Sequence, residues 1–179
     1  MADKKRLFFA LWPDARTRDA VTQQTATVVT ASGGRIVKPQ NLHMTLAFLH
    51  SVETSLIPCI ESAALRAAGN SFDLELSQVG CWNRSRILWL APSAEGQGTE
   101  TAGALAQSLW RELENCGFTP EQRRYRPHVT LARKATMRQT AAPAATISWP
   151  ARRFALVESI TGQRQSEYVV LKTFPLEPA

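Results

Sequence analysis

Asn41-Leu42-His43-Met44-Thr45-Leu46-Ala47-Phe48-Leu49 and Arg126-Pro127-His128-Val129-Thr130-Leu131-Ala132-Arg133 both contain the phrase His-x-Thr-Leu. The chain has only three histidines, and two of them stand in this phrase. Both stretches are short, apolar and rich in β-formers, so each reads as a buried strand. Residues i and i+2 of a strand share a face. His43 therefore projects with Thr45 and His128 with Thr130, while Met44, Leu46, Val129 and Leu131 pack behind them. One such unit in each half of the chain suggests an internal duplication.

If the two strands meet, two imidazoles and two hydroxyls converge. Histidine has an ordinary pKa of about 6.5, so a pair can act as base and acid in one turnover near neutrality. Threonine hydroxyls can donate to non-bridging phosphate oxygens. This is equipment for in-line attack on a phosphodiester without a metal.

The two phrases, their flanking residues and the N-terminal Arg6-Leu7-Phe8-Phe9-Ala10-Leu11-Trp12-Pro13 resemble the 2H phosphoesterase superfamily. Within it they resemble the bacterial RNA 2′,3′-cyclic phosphodiesterases, first described as 2′-5′ RNA ligases. The similarity runs from about Arg6 to the C-terminal strand. It implies two lobes related by a pseudo-twofold axis, each a small sheet with outer helices, with a cleft between them lined by the H-x-T-x strands. It also implies hydrolysis of RNA 2′,3′-cyclic phosphate ends, cleavage to O3′ and a 2′-phosphomonoester product. Under it His43 is the proton donor, His128 the acceptor, and Arg133 a contact for the substrate phosphate. The near-identity of the two motifs leaves that orientation open on the residues alone.

A chain of 179 residues, 44% hydrophobic and 20% charged, is globular in composition and of a size usual for one domain. Residues 1–179 are read as a single bilobal unit. The formal charge of +6 favours an anionic partner such as RNA. Cys59, Cys81 and Cys116 are few, odd in number and far apart, which suggests reduced thiols, a cytoplasmic setting and no thiolate zinc site. Lys4, Lys5 and Arg6 precede an apolar run, but Pro13 and Asp14 break it too early for a signal peptide. No segment approaches the length of a membrane span.

Taken in order, the chain reads as a strand over 6–12, a helix opened by Pro13-Asp14 and closed by Gly33-Gly34, and a short strand over 35–37. After the His43 strand come a helix over 54–68, strands over 72–76 and 87–91, and a loop over 95–98. A helix over 101–116 follows, with Leu105, Leu109 and Leu113 on one face. Beyond the His128 strand, residues 137–148 read as irregular, and 154–160 with 167–174 as a hairpin turning near Gly162. This order predicts an α+β fold with mainly antiparallel sheets.

Beyond the two His-Thr pairs, other residues carry open readings. Arg133 lies five residues after His128, an odd separation that points it away from the cleft unless a bulge re-aims it. Arg123, Arg124 and Arg126 are either contacts for RNA phosphates or a solvated basic loop, and Tyr125 could stack on a base. Lys38 is a further candidate near the first motif. His50 should face away from His43 and stands where relatives tend to have glycine, so it reads as a turn residue. No carboxylates cluster nearby, so neither a metal nor a cofactor is expected. Phe8, Phe9, Trp82 and Trp89 are assigned to packing. The partner expected is RNA or an oligonucleotide with a cyclic phosphate end, without membrane association and with the protein a monomer. Two alternatives stand beside hydrolysis: 2′-5′ RNA ligation through the same groups, and a non-catalytic nucleotide- or RNA-binding module.

Overall fold

Leu7 to Leu11 are five consecutive buried residues, which requires cover on both faces of their strand. A computed structural model, which describes residues 3–67, 69–137, 139–162 and 166–178, shows how that cover is supplied. The strand, β1 (Lys4–Leu11), sends Leu7, Phe9 and Leu11 into the main core. Phe8 and Ala10 point the other way, into a smaller cluster with Ala155 and Val157, edged by Trp12, Phe48 and Tyr168. The smaller cluster proves to floor one side of the candidate site.

The other elements are α1 (Ala15–Ala31), β2 (Arg35–Ile36), β3 (Met44–Glu53), α2 (Ile57–Ala67), β4 (Phe72–Trp82), β5 (Ile87–Pro92) and α3 (Gln97–Glu114), then β6 (Val129–Arg133), β7 (Ile147–Ala151), β8 (Arg153–Thr161) and β9 (Ser166–Pro175). The fold is α+β, as expected. Eight strands run in the order β7-β4-β5-β6-β3-β1-β8-β9, all neighbours antiparallel, with β2 paired to β6. Each motif strand is the innermost of four: β3 backs onto β1, β8 and β9, and β6 onto β5, β4 and β7. The halves meet where Met44 pairs with Val129, the middle residues of the two motifs.

Local chemistry accounts for the helices. The Asp14 carboxylate accepts from the Thr17 N–H at 2.7 Å and caps α1, which lowers its pKa. Thr17, Val21, Thr25 and Val29 form its buried stripe, and the Thr25 hydroxyl is satisfied by the Val21 carbonyl at 2.7 Å. In α3, Leu105, Leu109 and Leu113 are buried as their spacing predicts. Among the described residues no helix is long and apolar enough to cross a membrane.

Several expectations need correction. Residues 147–151 form a strand, β7, within and beyond the segment read as irregular. Pro150 obscures it, but β7 is the outermost strand, where a missing N–H is tolerated; Trp149 anchors it in the core. Helix α3 begins at Gln97, inside the expected loop; Gly98 in its first turn lies so close to the Asp73 carbonyl that a Cβ there would collide with it. β4 extends to Trp82, well past the expected end at 76. Cys59 and Cys116 are not free thiols but a disulfide, their Cα atoms 5.9 Å apart. Distance along the chain hid this pairing, which follows from the packing of α2 against α3; Cys81 is the free cysteine. The expected turn beyond Gly162 and the Ala68 helix end lie outside the described residues.

Candidate active site

The antiparallel register through Met44 and Val129 sets His43 opposite Thr130 and Thr45 opposite His128. The cavities follow this crossing. A small one of about 100 Å³ is lined by His43, Thr130, Arg133 and Tyr168, and a large open groove of about 1450 Å³ takes in Thr45, Phe48, Trp82 and His128. Each histidine thus shares its cavity with the threonine of the other motif.

Both rings are anchored in the same way. His43 Nδ1 lies 2.7 Å from the Asn41 carbonyl oxygen, and His128 Nδ1 lies 2.7 Å from that of Arg126. A carbonyl only accepts, so each Nδ1 carries the hydrogen and each neutral ring keeps its lone pair on Nε2. Two lone pairs with fixed orientation are what proton transfer requires.

The surroundings differ. The His43 imidazole lies parallel to the Trp12 indole, centroids 5.4 Å apart and planes 9° apart, with Tyr168 edge-on at 5.1 Å and Phe8 at 4.9 Å. Burial in this aromatic box pushes its pKa down to about 4, offset in part by the Asn41 carbonyl and reinforced by the charges of His128 and Arg133. His128 meets the edge of Trp82 at 4.6 Å, and burial, with the charge of Arg133, lowers its pKa too. Arg133 lines the small cavity with His43, while His128 lines the groove on the other side of the Met44–Val129 pair.

Arg133 reaches the site because β6 carries the bulge the alternation rule needs. Trp89 pairs with Thr130 and the preceding Leu88 with Ala132, so Leu131 is an extra residue and the face reverses. β3 repeats the device at the same station: Phe9 pairs with Ala47 and Ala10 with Thr45, leaving Leu46 extra. Phe48 and Arg133, each five residues after a motif histidine, are therefore structural equivalents. Phe48 lines the groove with the Arg6 guanidinium 4.9 Å from its ring centre.

The remaining sequence candidates lie at the groove. Arg123, Arg124 and Arg126 line it with exposed side chains. Tyr125 also lines it, but its ring is half-buried against the core and its hydroxyl is buried without a partner, so burial pushes the phenol's pKa up. Lys38 borders the small cavity. His50 is exposed with φ of 58°, but it is not the expected turn residue: it lies within β3, paired with Leu7 beside a bulge that leaves Leu49 extra. Phe8 and Phe9 are buried as expected, and Trp89 packs flat over Gly80, where a Cβ would meet its indole.

Sequence reading missed Trp12, Tyr168 and the contact from Trp82. Trp12 was findable, because it shares a strand face with Phe8 and Ala10. Tyr168 and Trp82 arrive from other strands, and nothing near either motif announces them. Among the described residues no three of His, Cys, Asp and Glu come together in a way that could hold a metal ion.

The crossed pairs, the repeated bulge and the matched carbonyl anchors prompt comparison with known proteins. The chain is 32% identical over 177 residues to an Escherichia coli protein named RNA 2′,3′-cyclic phosphodiesterase, covering 98% of this chain and 99% of that one. The apo structure of E. coli LigT superposes with a TM-score of 0.86 at 30% identity, covering 98% and 99% of the two chains. LigT complexed with 3′-AMP gives a TM-score of 0.85 at 30% identity, covering 97% and 99%. Residues 13–163 match the profile described as the 2′-5′ RNA ligase superfamily, and the chain belongs to that superfamily.

Proposed function

We propose that the protein hydrolyses RNA 2′,3′-cyclic phosphate ends to 2′-phosphomonoesters, using His43 and His128 and no metal ion. The observation that carries this is the pair of imidazoles whose Nδ1–H groups are held by backbone carbonyls, leaving Nε2 of each for proton transfer. The relatives' name supports the substrate class. Water attacks phosphorus in line with the departing O3′ and gives its proton to Nε2 of His128. Nε2 of His43, protonated, donates to O3′ as the P–O3′ bond breaks. The Thr45 and Thr130 hydroxyls donate to the equatorial oxygens, and the Arg133 guanidinium offsets their charge. His43 resists protonation in the free protein, so the bound phosphate anion must raise its pKa before it can act as donor.

The test is incubation of the protein with 2′,3′-cyclic AMP and with a cyclic-phosphate-ended oligonucleotide, with and without EDTA. Products with a 2′-phosphate, formed equally in chelator, are expected. A 3′-phosphate product rules out the bond assignment, and loss in EDTA reversed by zinc or manganese rules out the metal-free mechanism. The superfamily's description as RNA ligases favours one second reading, joining of RNA ends through the same groups. Product analysis at high concentrations of RNA ends decides it.

A further inference from the structure

Leu11 of β1 pairs with Met44 of β3, and both side chains enter the main core. One step further along, the same antiparallel register sets Trp12 opposite His43 on the other face. Their rings lie parallel, 9° apart in plane and 5.4 Å between centroids. Phe8 is tilted by 39° against the imidazole and Tyr168 stands at 87° to it, so of the three only Trp12 offers it a full face. The indole is held from both ends. Leu11 before it is paired on both sides, to Met44 and to Phe154. Pro13 after it is buried, accepts from the Arg18 guanidinium at 3.2 Å, and leads into the Asp14 cap of α1. Trp12 lines neither the small cavity nor the groove, so it acts on a substrate only through His43.

A proton donor at His43 must be charged in the complex, and its charged neighbours oppose that. His128 and Arg133 from β6 act against the imidazolium. Arg35 and Lys38 line the small cavity beside it, and Tyr168 from β9 brings a phenol. Phe8 and Trp12 from β1 bring no charge. Among the described residues no carboxylate lines that cavity. What favours the imidazolium within the protein is the Asn41 carbonyl at Nδ1 and the negative π face of the indole. A cation within about 6 Å of the centre of a tryptophan ring is attracted by the ring's quadrupole, the more so as water is excluded. A planar cation stacked in parallel meets that face with its whole area.

We infer that Trp12 is a positioning residue for the acid: its indole holds the His43 ring in one orientation and stabilises the imidazolium that donates to O3′. The inference rests on the proposed role of His43 as proton donor and adds the group that lets a histidine among cations keep its proton. Burial by the indole and attraction by its face act in opposite directions on the imidazolium. Leucine at position 12 keeps the apolar bulk and removes the face. Phenylalanine keeps a smaller face. Fluorine on the indole withdraws charge from the face and leaves its shape nearly unchanged.

The experiment compares the full chain with W12L, with W12F and with a series carrying progressively fluorinated tryptophan at position 12 alone. NMR titration of the His43 ring protons, with and without inorganic phosphate, is paired with turnover of 2′,3′-cyclic AMP. W12L should lower the His43 midpoint by roughly 0.5–1 pH unit and W12F by less, and the fluorinated series should lower it stepwise. kcat at neutral pH should fall in parallel, by roughly 3- to 10-fold in W12L, with KM unchanged. A residue that merely packs would not make either quantity follow fluorination. Should W12L fail to fold, the fluorinated series decides. Turnover with a midpoint that stays put or rises across the series overturns the inference and leaves the hydrolase standing. A midpoint that follows fluorination without turnover of any cyclic phosphate overturns the hydrolase reading and keeps the stacked imidazolium.

Discussion

Phe48 and Arg133 occupy the same station in the two halves of the sheet, each re-aimed by a bulge at the leucine two residues before it. His, Thr and the bulge repeat; the residue the bulge presents does not. An apolar ring stands on the groove side and a cation on the small-cavity side. A substrate with a base at one end and a phosphate at the other can therefore tell apart two halves that the motifs leave alike.

Arg133→Gln should lower kcat/KM by roughly 10- to 100-fold, the scale of one hydrogen bond to a charged group. Arg133 also holds both imidazoles down, so the variant should raise the pKa of His43 and of His128. NMR titration of the ring protons reads this directly. If neither value rises, Arg133 does not act on the pair.

His43→Ala and His128→Ala should each cost roughly 10²–10⁴-fold in kcat, the usual worth of one acid–base group. Truncating either ring leaves its strand's pairing untouched, so both variants should keep the native circular dichroism spectrum. Near-native turnover in either one removes that histidine from the mechanism.

The two motif strands were legible from their alternation, but the crossing of His43 with Thr130 and of His128 with Thr45 was not, because it depends on the register of β3 against β6. Arg133 was ambiguous because a bulge costs one residue of register and leaves no mark in the sequence. β7 was hidden by Pro150, since strand patterns cannot tell an edge from a centre. The aromatic box around His43 was half legible: Trp12 lies on its own strand's face, whereas Tyr168 comes from the far end of the chain. The Cys59–Cys116 bridge depends on how α2 meets α3, which no local pattern encodes.

That bridge closes a loop of 57 residues in sequence separation and should stabilise the fold by about 4 kcal/mol through the unfolded chain. Cys59→Ser with Cys116→Ser should then lower Tm by about 10 °C for a chain of this size. Thiol titration of the denatured, unreduced protein should find one reactive group, Cys81. Three reactive groups would show that the bridge does not form in solution.

Stability should depend on pH through His43. Its folded pKa is about 4 against an ordinary 6.5, so between those values the unfolded chain binds more protons. Stability is therefore fully present above pH 6.5 and is lost as pH falls toward 4, by at most about 3 kcal/mol from this group. Denaturant unfolding at pH 7 and pH 4.5 should show a smaller drop for His43→Ala than for the parent. Equal drops would mean that the ring is better solvated than its aromatic box implies.

The kinetic pH profile follows from the same burial but reads the pair. Unperturbed imidazoles would put both limbs of a bell near neutrality, whereas here both pKa values are depressed in the free protein. kcat/KM reports the free enzyme. Its limbs should therefore lie near 4 and below 6.5, with the optimum on the acid side of neutrality, and both belong to the coupled pair rather than to either ring. A bound phosphate anion favours imidazolium, so the kcat bell, which reports the complex, should be displaced to higher pH. The separation between the two bells measures how far the substrate's own charge readies the acid for its proton transfer. A kcat/KM that keeps climbing through pH 8 would point to hydroxide or another base and would end the two-imidazole mechanism.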